Sequence, residues 1–64
     1  MIRVNGIEHD GAFDSLTAMM NDMAIEPKGV AVAINGEVIR RGEWSTTSLH
    51  DGDVIEIVNA VAGG

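Results

Sequence analysis

The chain carries few residues whose type and spacing could support chemistry. Its two histidines, His9 and His50, are far apart and lack the spacing of a helical zinc site, so we interpret both as surface side chains. The segment from Asp51 to Asp53 is similar to part of a calcium loop. The twelfth position counted from Asp51 is Ala62, however, which offers no side-chain oxygen. We therefore interpret this segment as a turn and expect no metal site.

Nucleophiles are equally scarce. The chain has no cysteine, which excludes a thiol nucleophile, a disulfide scaffold and an iron–sulfur cluster. Its serines and acids show no spacing that suggests a Ser-His-Asp set, and it has no glycine-rich phosphate loop. We therefore expect a protein that is not an enzyme and that binds no cofactor of its own.

The last two residues, Gly63 and Gly64, are the remaining candidate for chemistry. The final strand pattern fades near Asn59, which predicts a domain over residues 1–59 and a flexible tail over residues 60–64. Because glycine has no Cβ, such a tail could thread a narrow slot and approach another molecule closely. Its carboxylate would become an acyl donor once adenylation by ATP, on another enzyme, converted an oxygen into a leaving group.

Size and charge restrict the other possibilities. Sixty-four residues form one small domain in which nearly all apolar residues must serve a single core. The net charge of −6 disfavours nucleic-acid binding and favours a protein partner with a basic docking face. The isolated pair Arg40–Arg41 is interpreted as a solvated edge, with partner docking as the alternative. With no signal peptide and no apolar run long enough to span a membrane, we expect a cytoplasmic protein.

The elements that position the chain end follow from hydropathy patterns. Strand alternation predicts strands around Ile2–Val4, from Ile7, over 30–35, over 37–39 and over 54–58, with Asn-Gly turns at 5–6 and 35–36. A helix capped by Ser15 is predicted from its apolar stripe and is expected to stop at Pro27 and Gly29. The stripe consists of Leu16, Met19, Met20 and Met23, which we interpret as core residues, not as a soft metal site.

This order of elements predicts an α+β fold of the ubiquitin-like β-grasp type. In this arrangement one helix crosses one face of a mixed sheet, and the last strand lies beside the first, in parallel, at the sheet centre. The strand–helix–strand crossover should be right-handed. Ile55 and Ile57 should point into the core, whereas Val54, Glu56 and Val58 should point away from it.

The whole chain resembles the sulfur carrier family of thiamine biosynthesis, which has the ubiquitin-like β-grasp fold. The resemblance rests on "VNG", the Ser15-capped helix, "VAVAINGEVIRRGEW", "DGDVIEIV" and the closing "VAGG". It implies that an E1-like adenylating enzyme uses Mg-ATP to activate the Gly64 carboxylate. A sulfur relay fed by a cysteine desulfurase would then leave a terminal thiocarboxylate, from which thiazole synthase takes the sulfur.

The resemblance also implies roles for particular residues. Gly64 would be the modified residue, while Gly63 and Ala62 would thread into the partner's active site. Val58, with Ala31 and Ala33 on the same face of the sheet, would form a docking surface. Alternatives remain open at this point: the small subunit of molybdopterin synthase, a sulfur carrier of another pathway, a ubiquitin-like modifier joined to lysines through Gly64, or a β-grasp binding module with an inert tail.

Overall fold

A computed structural model describes residues 1–59, so Ala62, Gly63, Gly64 and the predicted tail over 60–64 lie outside the described residues. The described chain forms one five-stranded sheet with an α-helix on one face. In chain order the elements are β1 (Ile2–Val4), β2 (Ile7–His9), α1 (Leu16–Asp22), β3 (Val30–Ile34), β4 (Glu37–Ile39), a 3-10 helix (Arg41–Thr46) and β5 (Val54–Asn59).

The strands are arranged in the order β2-β1-β5-β3-β4. The first and last strands are parallel, with Arg3 opposite Val54 and Val4 opposite Ile55, whereas the other neighbouring pairs are antiparallel. The prediction of a mixed β-grasp sheet with the last strand central and parallel to the first is therefore confirmed. Because β5 has a neighbour on each side, its position is fixed by both halves of the chain.

Both Asn-Gly turns form as predicted. Asn5 and Gly6 have φ angles of 51° and 83°, and Asn35 and Gly36 have φ angles of 52° and 86°. Positive φ at both central residues is the geometry of the two-residue hairpin turn that matches the strand twist. These two turns connect β1 to β2 and β3 to β4.

The helix begins as predicted but ends earlier. The Ser15 hydroxyl oxygen accepts a hydrogen bond from the Ala18 N–H at 3.1 Å. The helix then ends at Asp22, well before Pro27, so the expected stop at Pro27 and Gly29 was wrong. The physical reason is a Schellman motif, in which the N–H of Ile25 bonds to the carbonyl of Met20 and that of Ala24 to the carbonyl of Asn21. Ala24 occupies the left-handed position with φ 55°, where glycine is usual.

The core lies between the helix and one face of the sheet. Leu16, Met19 and Ile55 are fully inaccessible to solvent, which confirms the helix stripe as core and Ile55 as inward. Trp44 is also buried, at 4% exposure, and its indole N–H donates to the carbonyl of Ile39 at 3.0 Å. The segment around Trp44 forms the 3-10 helix, which the sequence patterns did not predict.

Candidate functional site on the open face of the sheet

The face of the sheet opposite the helix carries the predicted docking residues. Ala31 of β3 lies directly opposite Val58 of β5, and Ala33 lies opposite both Glu56 of β5 and Val38 of β4. Residues directly opposite on neighbouring strands project from the same face. Val58, Ala31 and Ala33 are therefore brought together as expected; their role in docking stays a prediction.

Val38 completes this surface, which we call the open-face patch: Ala31, Ala33, Val38 and Val58. The side chains of Val38 and Val58 are 72% and 59% exposed, although both are hydrophobic. The two alanines lie between them, so small residues are flanked by larger ones. The result is an open depression of about 180 Å³, bordered by Glu56.

Val38 is not among the predicted docking residues, although the sequence carries a signal for it. The predicted strand over Glu37–Ile39 came without an assignment of Val38 to either face of the sheet. Ile39 is half-buried and packs against the core, so strand alternation sends its neighbour Val38 to the opposite face.

The end of the sheet away from Val58 is polar and internally paired. The Arg3 guanidinium donates to the Glu8 carboxylate at 3.0 Å, and the Met1 ammonium contacts the Asp51 carboxylate. The hydrogen bond between Met1 and Asp51 raises the pKa of the Met1 ammonium and lowers the pKa of the Asp51 carboxyl. These groups line an open depression of about 480 Å³, where opposite charges already offset one another.

The segment from Asp51 to Asp53 forms the turn that the sequence predicted. Gly52 has φ 91°, and Asp53 accepts hydrogen bonds from the His50 N–H at 2.8 Å and from the Asn35 side-chain amide at 3.1 Å. His50 is exposed and His9 is half-buried. Within residues 1–59, no group of three or more His, Cys, Asp or Glu side chains is arranged to hold a metal ion. The same range contains no helix long and apolar enough to cross a lipid bilayer.

The chain leaves the sheet from the edge of the open-face patch. Val58 is the penultimate residue of β5, and Asn59 is the last residue that the structure describes. Ala62, Gly63 and Gly64, the tail residues with predicted roles, lie beyond it, so their roles stay predictions. What the described residues provide is an exposed apolar patch next to the point where the chain continues toward Gly64.

A family model, a curated relative and a solved structure all relate this chain to ThiS proteins. Residues 2–64 match the ThiS family. The chain is 36% identical over 64 residues to the sulfur carrier protein ThiS of Thermus thermophilus, with both chains covered completely. The crystal structure of the thiamine biosynthesis protein ThiS from Geobacter metallireducens superposes with a TM-score of 0.84 at 27% identity, covering 98% of this chain and 97% of that one.

A second kind of relative is much longer. A thiazole synthase of Paramagnetospirillum magneticum is 29% identical over 62 residues, which cover 95% of this chain but 19% of that protein. A thiazole synthase of Magnetococcus marinus is 33% identical over 64 residues, covering 98% of this chain and 20% of that protein. Each of these synthases therefore contains a region similar to nearly all of this small chain.

Proposed function

This chain belongs to the ThiS family, and we propose that the carboxylate of Gly64 is the group on which it carries sulfur. The chain is a sulfur carrier of thiamine biosynthesis, acting in formation of the thiazole. The observation that carries the chemical proposal is the Gly63–Gly64 end, which follows a central strand beside an exposed apolar patch.

The first step is activation of the Gly64 carboxylate. A carboxylate oxygen attacks the α-phosphorus of ATP, pyrophosphate leaves, and an acyl adenylate forms. An E1-like adenylating enzyme supplies the binding site for ATP and Mg²⁺, because this chain contributes only the carboxylate. Gly63 and Ala62 have small side chains or none, which suits a segment that must enter a narrow active site.

The second step transfers sulfur. The outer sulfur of a persulfide, on a relay fed by a cysteine desulfurase, attacks the acyl carbon and AMP leaves, which gives an acyl disulfide. A second thiol of the relay then cleaves the S–S bond, so that the terminal thiocarboxylate is released and the relay is left as a disulfide. Thiazole synthase is the partner that takes up this sulfur. Support for that partner comes from the thiazole synthases that contain a region similar to this chain, since joining two functions in one polypeptide is advantageous when they act together.

The open-face patch is the surface on which we propose that partners dock. Val38 and Val58 expose large apolar areas next to two alanines, so a partner's side chain could approach the sheet closely between them. The chain as a whole is acidic, with a net charge of −6, which would attract a partner with a basic docking face. Docking here would bring the following residues, 60–64, toward the partner's active site.

In this scheme the protein is a co-substrate and not an enzyme. Among residues 1–59, every fully buried side chain is hydrophobic, so the core contributes no buried acid, base or nucleophile. The chemistry would reside in the partner enzymes, in the cytoplasm, and the chain would return to its carboxylate form after each transfer.

Intact mass spectrometry tests the proposal. The chain is incubated with the adenylating enzyme, Mg-ATP, a desulfurase with cysteine, and a thiol reductant, and we expect replacement of one terminal oxygen by sulfur. A matched control carries one additional alanine after Gly64; it should remain unmodified, since its carboxylate is displaced by one residue. Deletion of Gly64 should also abolish loading while leaving thermal stability almost unchanged. Absence of the sulfur adduct on the wild-type chain in an active mixture would disprove the carrier chemistry, and a lysine isopeptide would indicate a modifier.

A further inference from the structure

Asn5 has contacts that its role in a turn does not require. Its side-chain Oδ1 accepts a hydrogen bond from the Ile57 N–H at 2.8 Å, and its Nδ2 donates to the Ile57 carbonyl at 3.0 Å. One carboxamide therefore satisfies both main-chain groups of a residue near the end of β5. A turn residue needs only to tolerate positive φ, which glycine would do equally well.

These two bonds extend the parallel ladder past the end of β1. The N–H of Arg3 bonds to the carbonyl of Asp53, and the N–H of Asn5 bonds to the carbonyl of Ile55, both at 2.9 Å. The next groups along this edge of β5 belong to Ile57, but the backbone of β1 has already turned away at Asn5–Gly6. The carboxamide of Asn5 takes the place of the missing peptide group, because it presents the same donor and acceptor.

The other end of β5 has a corresponding residue. Asn35, in the second Asn-Gly turn, accepts from the Val54 N–H at 3.0 Å through Oδ1 and donates to Asp53 at 3.1 Å through Nδ2. Each of the two turns thus holds one end of β5 through an asparagine side chain. Asn35 bonds to the start of β5, whereas Asn5 bonds to Ile57, two residues before Asn59, the last described residue.

We propose that Asn5 is a positioning residue, which fixes the end of β5 from which the chain continues toward Gly64. This inference rests on the proposed function, because a fixed end of β5 matters for activity only if the chain end must enter a partner's active site. Ile57 immediately precedes Val58 of the open-face patch, so the same two bonds set the patch relative to the end of β5 at Asn59. Asn5 contacts no substrate; it acts through the main chain of Ile57.

The test compares Asn5→Gly with Asn35→Gly. Both variants retain a residue that accepts positive φ, and each loses two side-chain hydrogen bonds to or beside β5. Hydrogen exchange should accelerate at the Ile57 amide in Asn5→Gly and at the Val54 amide in Asn35→Gly. This measurement follows the contacts themselves and is independent of the sulfur chemistry.

Function is measured as ATP–pyrophosphate exchange with the adenylating enzyme, with the full chain varied as substrate. For Asn5→Gly we expect kcat to fall by about tenfold with KM changed less than about twofold, since docking persists while the reacting carboxylate is misplaced. For Asn35→Gly we expect kcat and KM to stay within about twofold of wild type. This variant also loses two hydrogen bonds, but at the start of β5, away from the end that leads to Gly64.

The outcomes separate the two proposals. If wild type supports exchange and Asn5→Gly keeps its kcat, or if both variants lose kcat equally, the positioning role is wrong while the proposed function stands. Unchanged exchange of the Ile57 amide in Asn5→Gly would also overturn the positioning role. If wild type itself supports no exchange with an active enzyme, the proposed function fails.

Discussion

The proposed docking on the open-face patch can be tested by removing its exposed valine methyl groups, which contribute little to the stability of the isolated fold. We consider the double variant Val38→Ala and Val58→Ala. Val38 is 72% exposed and Val58 is 59% exposed, so the folded chain gains little from either side chain. A partner that covers the patch would bury what is still exposed, and the loss should therefore appear in binding.

The expected size follows from the exposed fractions. Each substitution removes two methyl groups, at about 0.8 kcal/mol for each carbon that is buried. Scaling by exposure gives about 1.2 kcal/mol for Val38 and about 0.9 kcal/mol for Val58 if docking covers both completely. Together they amount to about 2 kcal/mol, which corresponds to a dissociation constant raised about 30-fold.

Isothermal titration calorimetry against thiazole synthase, and separately against the adenylating enzyme, measures this change. Ile7→Ala is the matched control, because Ile7 is 64% exposed on an edge strand but lies on the same face as Val4, away from the patch. Its dissociation constant should stay within about twofold of wild type. If the double variant binds both partners as tightly as Ile7→Ala does, while its thermal unfolding remains cooperative, the patch is not the docking surface.

Three further predictions concern the fold and its pH dependence. Leu16→Ala should lower the free energy of unfolding by about 2–5 kcal/mol, because Leu16 is fully buried; a urea titration showing less than about 1 kcal/mol would contradict this packing. Ala24→Gly should raise the free energy of unfolding by about 0.5–1 kcal/mol, because it relieves the strain of an alanine in the left-handed region. Ala18→Gly, inside the helix, should lower the free energy of unfolding. If thermal unfolding shows the same direction of change for both variants, the Schellman explanation is wrong. Asp51→Asn should return the pKa of the Met1 ammonium toward 8.0 in an NMR titration; an unchanged midpoint would exclude the contact.

The pairing of Met1 with Asp51 should also make the stability of the fold depend on pH. The pKa of Met1 is raised above 8.0 on folding and the pKa of Asp51 is lowered below 3.8. Their pairing is therefore fully present between these two values. It is lost at lower pH, as Asp51 is protonated through its folded pKa, and at higher pH, as Met1 loses its proton. Because both groups are exposed, added salt should weaken the effect.

Most of the architecture could be predicted because its signals are local. Alternating residues located the strands, the Asn-Gly pairs located the turns, and the Ser15 cap located the start of the helix. The end of the helix could not be located in this way. Pro27 was an obvious local stop, yet Met20 and Asn21 accept hydrogen bonds from Ile25 and Ala24, and an alanine in the left-handed region has no sequence signature.

In the candidate site, too, only the residues with local signals could be predicted. Val58, Ala31 and Ala33 could be placed on one face because strand alternation has period two, and pairing across β3 and β5 then puts Ala31 opposite Val58. Val38 required knowing that Ile39 faces the core, and Asn5 required the register between β1 and β5. Hydrogen bonds between residues at opposite ends of a chain cannot be read from local patterns, since they depend on which strands become neighbours.

The central position of β5 has a consequence for how the protein is made. The sheet cannot close around its middle strand until Val54–Asn59 has been synthesised, because β1 and β3 have β5 between them. Pairing of Arg3 with Val54 joins opposite ends of the described chain, which makes closure a late and comparatively slow event in folding. A nascent chain that stops before β5 therefore lacks the centre of its sheet and should be a substrate for proteases. Proteolysis of such incomplete chains would leave mainly chains that contain β5, the strand that leads to the two glycines.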